Sequence, residues 1–122
     1  MAATAGVCAR LKTFALGFPG AYEDSPWGEL VAKVDKKIFV WLPTPDDDRV
    51  RLVIKLRGDA HAAALAAPGA SPTTYGLGNA GWVTVPHVEE LPIALLRDWI
   101  EESFRLVAPK RRVAELDRRP SA

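Results

Sequence analysis

Basic side chains alternate with apolar ones along residues 49–57, and this pattern could bind a charged ligand. The even-numbered positions from 50 to 56 are apolar. Basic residues occupy odd-numbered positions, interrupted only by Val53, and they are Arg49, Arg51, Lys55 and Arg57. Successive side chains of a strand point to opposite faces. The spacing therefore predicts a half-buried antiparallel strand with a row of cations outside, and such a row could hold phosphate groups.

The preceding segment could add aromatic rings to this row. If the even-numbered residues from 38 to 42 face the core, then Lys37, Phe39 and Trp41 face outwards with the arginines, and Lys33 joins them from the strand before. Cations bind phosphates and rings stack on bases, so the combination predicts a nucleic-acid surface. Two alternatives remain open: an ordinary solvated sheet face, and a face whose rings are covered by the C-terminal segment.

A loop-like segment over residues 20–28 is unusually aromatic and carries two adjacent acids. Because loops on rigid scaffolds often carry function, this segment could be a binding or catalytic loop that uses Glu23, Asp24 and Trp27. The adjacent side chains of Glu23 and Asp24 need not converge as an acid–base pair. We favour a structural interpretation of the segment, because a buried Trp commonly anchors a small core. In it Trp27 buries its ring, and Asp24 accepts backbone N–H groups to fix the turn.

Other kinds of site have weak support in the sequence. The only cysteine, Cys8, excludes an internal disulfide and a cysteine-based zinc site, and we expect it to be a small apolar residue on a helix. His61 and His87 are interpreted as solvent-exposed, without ligands at metal-binding spacing. A Gly-x-Gly-x-x-Gly run at residues 76–81 has no following helix to receive a phosphate, so it predicts a turn. We therefore predict no enzymatic activity, no metal and no cofactor.

The composition and net charge of the sequence restrict the classes of partner that the protein could bind. The 122 residues include 16 Lys+Arg and 15 Asp+Glu, and 48% are hydrophobic. This predicts one globular domain, and the net charge of +1 excludes a histone-like basic module and an acidic tail protein. Any DNA binding should be weak and salt-dependent. No segment resembles a membrane span or a secretory signal, so we expect a cytoplasmic protein with no membrane partner. We also expect a monomer.

The expected order of elements is helix, hairpin, strand, helix, hairpin, helix. Helices are predicted near residues 5–16, 59–67 and 92–107, and strands over 30–34, 37–42, 49–57, 74–77 and 82–85. The class is therefore α+β, with an antiparallel sheet of about five strands packed with three helices. Residues 1–122 are expected to form one domain with a core over about 5–108. The remaining 109–122 would be a flexible basic tail.

Several motifs make the sequence resemble the MmcQ/YjbR family. They are Pro19-Gly20-Ala21-Tyr22-Glu23-Asp24, then Pro26-Trp27-Gly28, Lys33-Val34, Lys55-Leu56 and Gly81-Trp82-Val83-Thr84-Val85. The last helix also matches the closing helix of the family. The motif positions that carry the resemblance best are Asp24, Pro26, Trp27, Gly28 and Trp82.

The resemblance implies an antiparallel α+β domain similar to the secretion-chaperone-like fold. It also implies DNA binding through a "double wing" of hairpins and no generally established enzymatic activity. Two functions are thus predicted as alternatives. The first is a small non-enzymatic domain that binds DNA weakly through its basic sheet face. The second is a protein–protein interaction module with a chaperone-like fold.

Overall fold

One antiparallel sheet and its helices make up the structure, a computed structural model that describes residues 2–46, 50–74 and 76–120. The helices in these ranges are α1 (Ala2–Leu16), α2 (Gly58–Leu65), α3 (Ile93–Val107) and α4 (Lys110–Asp117). The strands are β1 (Tyr22–Asp24), β2 (Val31–Val34), β3 (Lys37–Trp41), β4 (Arg51–Lys55), β5 (Ser71–Pro72) and β6 (Trp82–Pro86). Among the described helices, none is long and apolar enough to cross a membrane.

The sheet order is β1-β2-β3-β4-β6-β5, with every pairing antiparallel. The predicted α+β class is confirmed. Two strands differ from the expectation, because β1 lies in a segment predicted to be a loop and β5 precedes the predicted 74–77 strand. Part of that predicted strand is instead a 3₁₀ turn, Leu77–Ala80.

The turn between β2 and β3 lies where the sequence predicts it. Asp35 and Lys36 have φ values of 48° and 69°. Two successive left-handed residues define the turn type that matches the twist of a two-residue hairpin. The hairpin is therefore held by local backbone geometry as well as by strand pairing.

The hydrophobic core lies on one face of the sheet, which we call the inner face. Helix α3 packs on β3 and β4, and α1 packs on α3 and β2. Phe18 and Phe104 stack with ring centroids 4.7 Å apart, and Phe39 meets both rings edge-on at 6.0 and 5.2 Å. These aromatic contacts tie the sheet to α3.

A β-bulge in β3 changes the predicted alternation. Ala32 of β2 is opposite Val40 and the next residue, Lys33, is opposite Ile38, so Phe39 is the extra residue. A bulge opposes two residues on one strand to one on the other. Phe39 and Val40 are consequently both buried in the core, whereas Ile38 and Trp41 lie on the opposite, outer face.

A buried serine stabilises the sheet beside this bulge. The β3–β4 ladder includes the Val40–Ile54 pair, and the next residues along would be Phe39 and Lys55. The Ser103 hydroxyl of α3 donates to the Phe39 carbonyl at 2.5 Å and accepts from the Lys55 backbone N–H at 2.8 Å. The bulge prevents these two backbone groups from bonding to each other, and the hydroxyl provides a partner for both.

The C-terminal segment, expected to be a flexible tail, contains helix α4 in the structure. Arg111 and Arg112 form ion pairs with Asp35 at the β2–β3 turn. Val113 and Leu116 also pack against the core. The sequence predicts a flexible tail because the segment has few apolar anchors, and it does not show that a turn aspartate lies next to two of its arginines.

Candidate binding groove

The outer face of the sheet carries an open groove with a volume of about 710 Å³. Trp41 is opposite Val53, and Val53 is opposite Thr84. Because cross-strand partners share a face, these side chains form a row across the groove. Half of the lining residues are apolar or aromatic. The complete lining is Trp27, Glu29, Ile38, Trp41, Arg51, Val53, Ser71, Pro72, Thr73, Thr74, Leu77 and Thr84.

The Asp24–Gly28 loop borders this groove and contributes its middle residue to the lining. Asp24 accepts the backbone N–H of Ser25 at 2.8 Å, as the structural interpretation predicts. Pro26 begins a 3₁₀ turn in which the Gly28 N–H donates to the Ser25 carbonyl at 3.2 Å. Gly28 has a φ of 78°, a conformation that glycine adopts without a Cβ clash. The loop therefore has a defined shape that projects its middle residue.

That middle residue is Trp27, and the prediction that its ring is buried is wrong. The side chain is 86% exposed, and it reaches the mouth of the groove. Its φ is 55°, in the left-handed region that large side chains rarely adopt. The tight turn between Pro26 and Gly28 leaves the ring no path to the core, which lies on the other face of the sheet.

Two tryptophans form the deeper apolar part of the outer face. Trp41 and Trp82 meet edge to face, with ring centroids 5.3 Å apart. Trp82 of β6 lies opposite Lys55 of β4, so it shares the outer face, and it is buried. Trp82, the first residue of β6 in the β5–β6 hairpin, therefore packs against another ring. Tyr75, the other aromatic residue of that hairpin, lies outside the described residues.

The cations predicted to bind phosphate include two that are already paired with acids. Lys33 lies 2.7 Å from the Asp24 carboxylate, and Arg51 lies 3.1 Å from that of Glu29. The hydrogen bond from Lys33, with that from the Ser25 N–H, lowers the pKa of Asp24. The same bond to Asp24 raises the pKa of Lys33. Two positive charges of the predicted surface are therefore compensated within the protein.

The remaining predicted contact residues are dispersed. Phe39, expected to face outwards, has no exposed surface, because the bulge rotates it into the core. Lys37 is exposed but lies opposite the core residue Val34, so it projects on the inner side of the sheet. Lys55 is half-buried and Arg57 is exposed, whereas Arg49 lies outside the described residues.

Sequence reasoning missed several residues of the groove. Ile38 was assigned to the core, and Leu77 and Thr84 to an ordinary hairpin. Thr84 shares a hydrogen bond of 3.0 Å with Thr73 across the groove wall. One signal was present: Val53 interrupts the row of cations with an apolar side chain, as expected where the outer face is itself partly covered.

Two other titratable positions lie away from the groove. His87, expected to be without acidic neighbours, lies with Glu89 and Glu90, and their potential ligand atoms are within 4.8 Å of one another. All three are exposed. Cys8 is buried on α1, as expected. Its burial, and to a smaller extent the negative charge of Glu89, raise the pKa of its thiol.

Fold and groove together define a class: an α+β domain with one antiparallel sheet, helices on its inner face and a ligand-sized groove on its outer face. The YjbR family model matches residues 16–106, and the chain belongs to this family. It is also similar to the crystal structure of the Deinococcus radiodurans protein DR2400, described with a DUF419 domain. The sequences are 25% identical, the TM-score is 0.69, and the match covers 93% of this chain and 90% of that one. A search of curated proteins finds no match.

Proposed function

We propose that this domain is a non-enzymatic binding module whose groove receives an apolar or aromatic segment of a partner protein. The observation that carries the proposal is the exposed, left-handed Trp27 at the mouth of the groove. In this proposal the domain acts as a cytoplasmic monomer, as its sequence predicts.

The conformation of Trp27 supports a binding role. A non-glycine residue in the left-handed region costs on the order of 1–2 kcal/mol. Such strain concentrates at ligand-binding sites, and it is retained where the side chain it presents is useful. Tryptophan is also enriched among residues that dominate the energy of protein interfaces. An exposed ring beside an apolar groove is thus suited to close over a bound side chain.

The chemistry of the groove supports binding over catalysis. Among its described lining residues, the charged side chains are Glu29 and Arg51, and they are paired with each other at 3.1 Å. Hydroxyl groups of Thr73 and Thr84 are likewise paired at 3.0 Å. Apolar surface with a few polar groups at its edge is the usual composition of a site that selects by shape. A volume of about 710 Å³ accommodates a few large side chains.

DNA binding is the second candidate, favoured by the cations that continue along β4. Lys55 and Arg57 form no ion pair with a described carboxylate, and Arg57 is exposed. They could hold a phosphate backbone that crosses the outer face. We rank this candidate second because Lys33 and Arg51 are paired with acids and Phe39 cannot reach a base.

The first candidate is tested by selecting peptides from a random phage-displayed library. The library is first depleted on the Trp27→Gly domain and then enriched on the native one. Enriched peptides are expected to be rich in aromatic residues and to bind with a Kd on the order of micromolar by calorimetry. Trp27→Gly and Leu77→Glu should each weaken binding about tenfold or more, whereas Glu102→Gln, an exposed change on α3, should have no effect.

Equal binding of the selected peptides to all variants, or failure to enrich any, would contradict the groove as the site. Circular dichroism and thermal unfolding establish that each variant is folded, so that a lost site is distinguished from a lost fold.

DNA binding is tested by fluorescence anisotropy with duplex and single-stranded oligonucleotides at low and moderate salt. If DNA is the ligand, binding at low salt should weaken steeply as salt rises, and should be reduced by Lys55→Glu combined with Arg57→Glu. No binding at low salt, or binding unchanged in this double variant, eliminates the candidate. Arg51→Glu is a poorer test because it would also place two acids together at Glu29.

A further inference from the structure

A second pocket lies between α1 and α3, on the side of the sheet opposite to the groove. It is open, has a volume of about 490 Å³ and is lined by Ala9, Arg10, Thr13, Phe14 and Arg97. The α1 residues are spaced so that they share one helix face, since positions four apart lie one above the other. Two arginines from different helices therefore converge on one small concave surface.

Neither arginine has its charge compensated by a described residue. Lys12, the other cation of this part of α1, pairs with Glu23 at 3.1 Å. No such pair forms between Arg10 or Arg97 and any carboxylate in the part of the chain that the structure describes. Two like charges that line one pocket repel each other, and an anion bound between them would relieve that repulsion.

The guanidinium of Arg97 packs against an aromatic ring and forms no hydrogen bond with the residues that the structure describes. Its central carbon lies 5.5 Å from the centre of the Phe14 ring, a cation–π arrangement. Its Nε is buried and has no acceptor among the described residues, whereas its terminal nitrogens are not among the buried unpaired atoms. A positioned guanidinium with open terminal N–H groups is a ready donor to an oxyanion, because little further ordering is needed.

We propose that this pocket binds a phosphate group, either free phosphate or the phosphate of a small monoester. Arg10 and Arg97 donate to its oxygens from two directions, and the Thr13 hydroxyl is available as a third donor. Donors arranged around an anion favour tetrahedral phosphate over planar carboxylate, whose two oxygens lie in one plane. This site is independent of the groove, and its failure would leave the proposed function untouched.

The test follows the Arg97 Nε–H resonance by NMR during titration with inorganic phosphate, glycerol 3-phosphate or acetate, all at matched ionic strength. The resonance is assigned by its absence in Arg97→Gln. We expect a saturable shift with phosphate, with a Kd on the order of 1 mM or tighter, and a smaller shift with acetate. A tighter Kd for the monoester identifies a phosphorylated small molecule as the source, and an equal or tighter Kd for inorganic phosphate identifies the free anion.

Variants separate this site from general charge attraction. Arg10→Gln, an exposed change that leaves the packing of Arg97 on Phe14 in place, should weaken phosphate binding about tenfold or more. Lys110→Gln, an exposed change on α4, removes the same charge outside the lining of the pocket and should leave the Kd unchanged. A non-saturable shift, the same shift with sodium chloride alone, or equal weakening by both variants would overturn the proposal.

Discussion

The inner and outer faces of the same sheet differ in how far their large apolar side chains are buried. On the inner face, Phe39 is fully buried, and the Ser103 hydroxyl bonds both its carbonyl and the Lys55 backbone N–H. On the outer face, Trp27 is almost fully exposed and strained, and Trp41 is only half-buried beside the groove. The first face is organised for stability, whereas the second holds apolar surface that folding leaves accessible.

This difference shows that apolar content alone does not mark the core. A bulge of one residue moves Phe39 inwards and Ile38 outwards, so both faces of β3 carry large apolar side chains. Exposed apolar surface of this kind marks binding sites in soluble proteins. Substitutions on the two faces test this difference, because we expect their effects on the free energy of unfolding to differ severalfold.

The largest effect is expected for Phe39→Ala. Removing a fully buried ring from the Phe18–Phe104 cluster should lower the free energy of unfolding by about 3–5 kcal/mol. Urea unfolding followed by circular dichroism measures this. A loss below about 1 kcal/mol would place the ring on the surface, where the alternation of β3 predicted it.

Ser103→Ala should have an intermediate effect on the same face. It leaves the Phe39 carbonyl and the Lys55 N–H without the hydroxyl that joins them, so a loss of about 1–3 kcal/mol is expected. The matched control is Ser71→Ala, an exposed serine on the edge strand β5, which should change the free energy of unfolding by less than about 0.5 kcal/mol. Similar losses for the two variants would mean that the bridge contributes nothing.

Most of the inner face could be predicted from the sequence, and much of the outer face could not. The stripe of α3 and the alternation of β4 follow directly from helical and strand periodicity. The bulge left no signal, because Ile38, Phe39 and Val40 are three consecutive apolar residues that fit either alternation. Ion pairs such as Arg51–Glu29 and Arg112–Asp35 join residues far apart in the chain, so the sequence alone does not show that these charges are paired.

Trp27→Gly is expected to change stability little while it removes binding in the groove. Relief of the left-handed strain, about 1–2 kcal/mol, offsets the greater freedom of glycine in the unfolded chain, about 0.5–1 kcal/mol. The free energy of unfolding should therefore remain within about 1 kcal/mol of the native value, and Trp27→Ala, which keeps the strain, should be the less stable of the two. A loss above about 2 kcal/mol in Trp27→Gly would instead mean that the ring packs as a structural plug.

The smallest effect is expected from the outer-face ion pair between Asp24 and Lys33, and it should depend on pH. The hydrogen bond from Lys33 lowers the pKa of Asp24 in the folded state, so the folded protein binds its proton less readily than the unfolded chain does. The resulting stabilisation is present above the ordinary aspartate pKa of about 3.9 and is lost as the pH falls through the lower folded value. Melting temperatures of the native protein and Asp24→Asn should therefore differ at neutral pH and converge in acid. Asp98→Asn, an exposed change on α3, should show no such convergence, and a constant difference for Asp24→Asn down to about pH 2 would contradict the linkage.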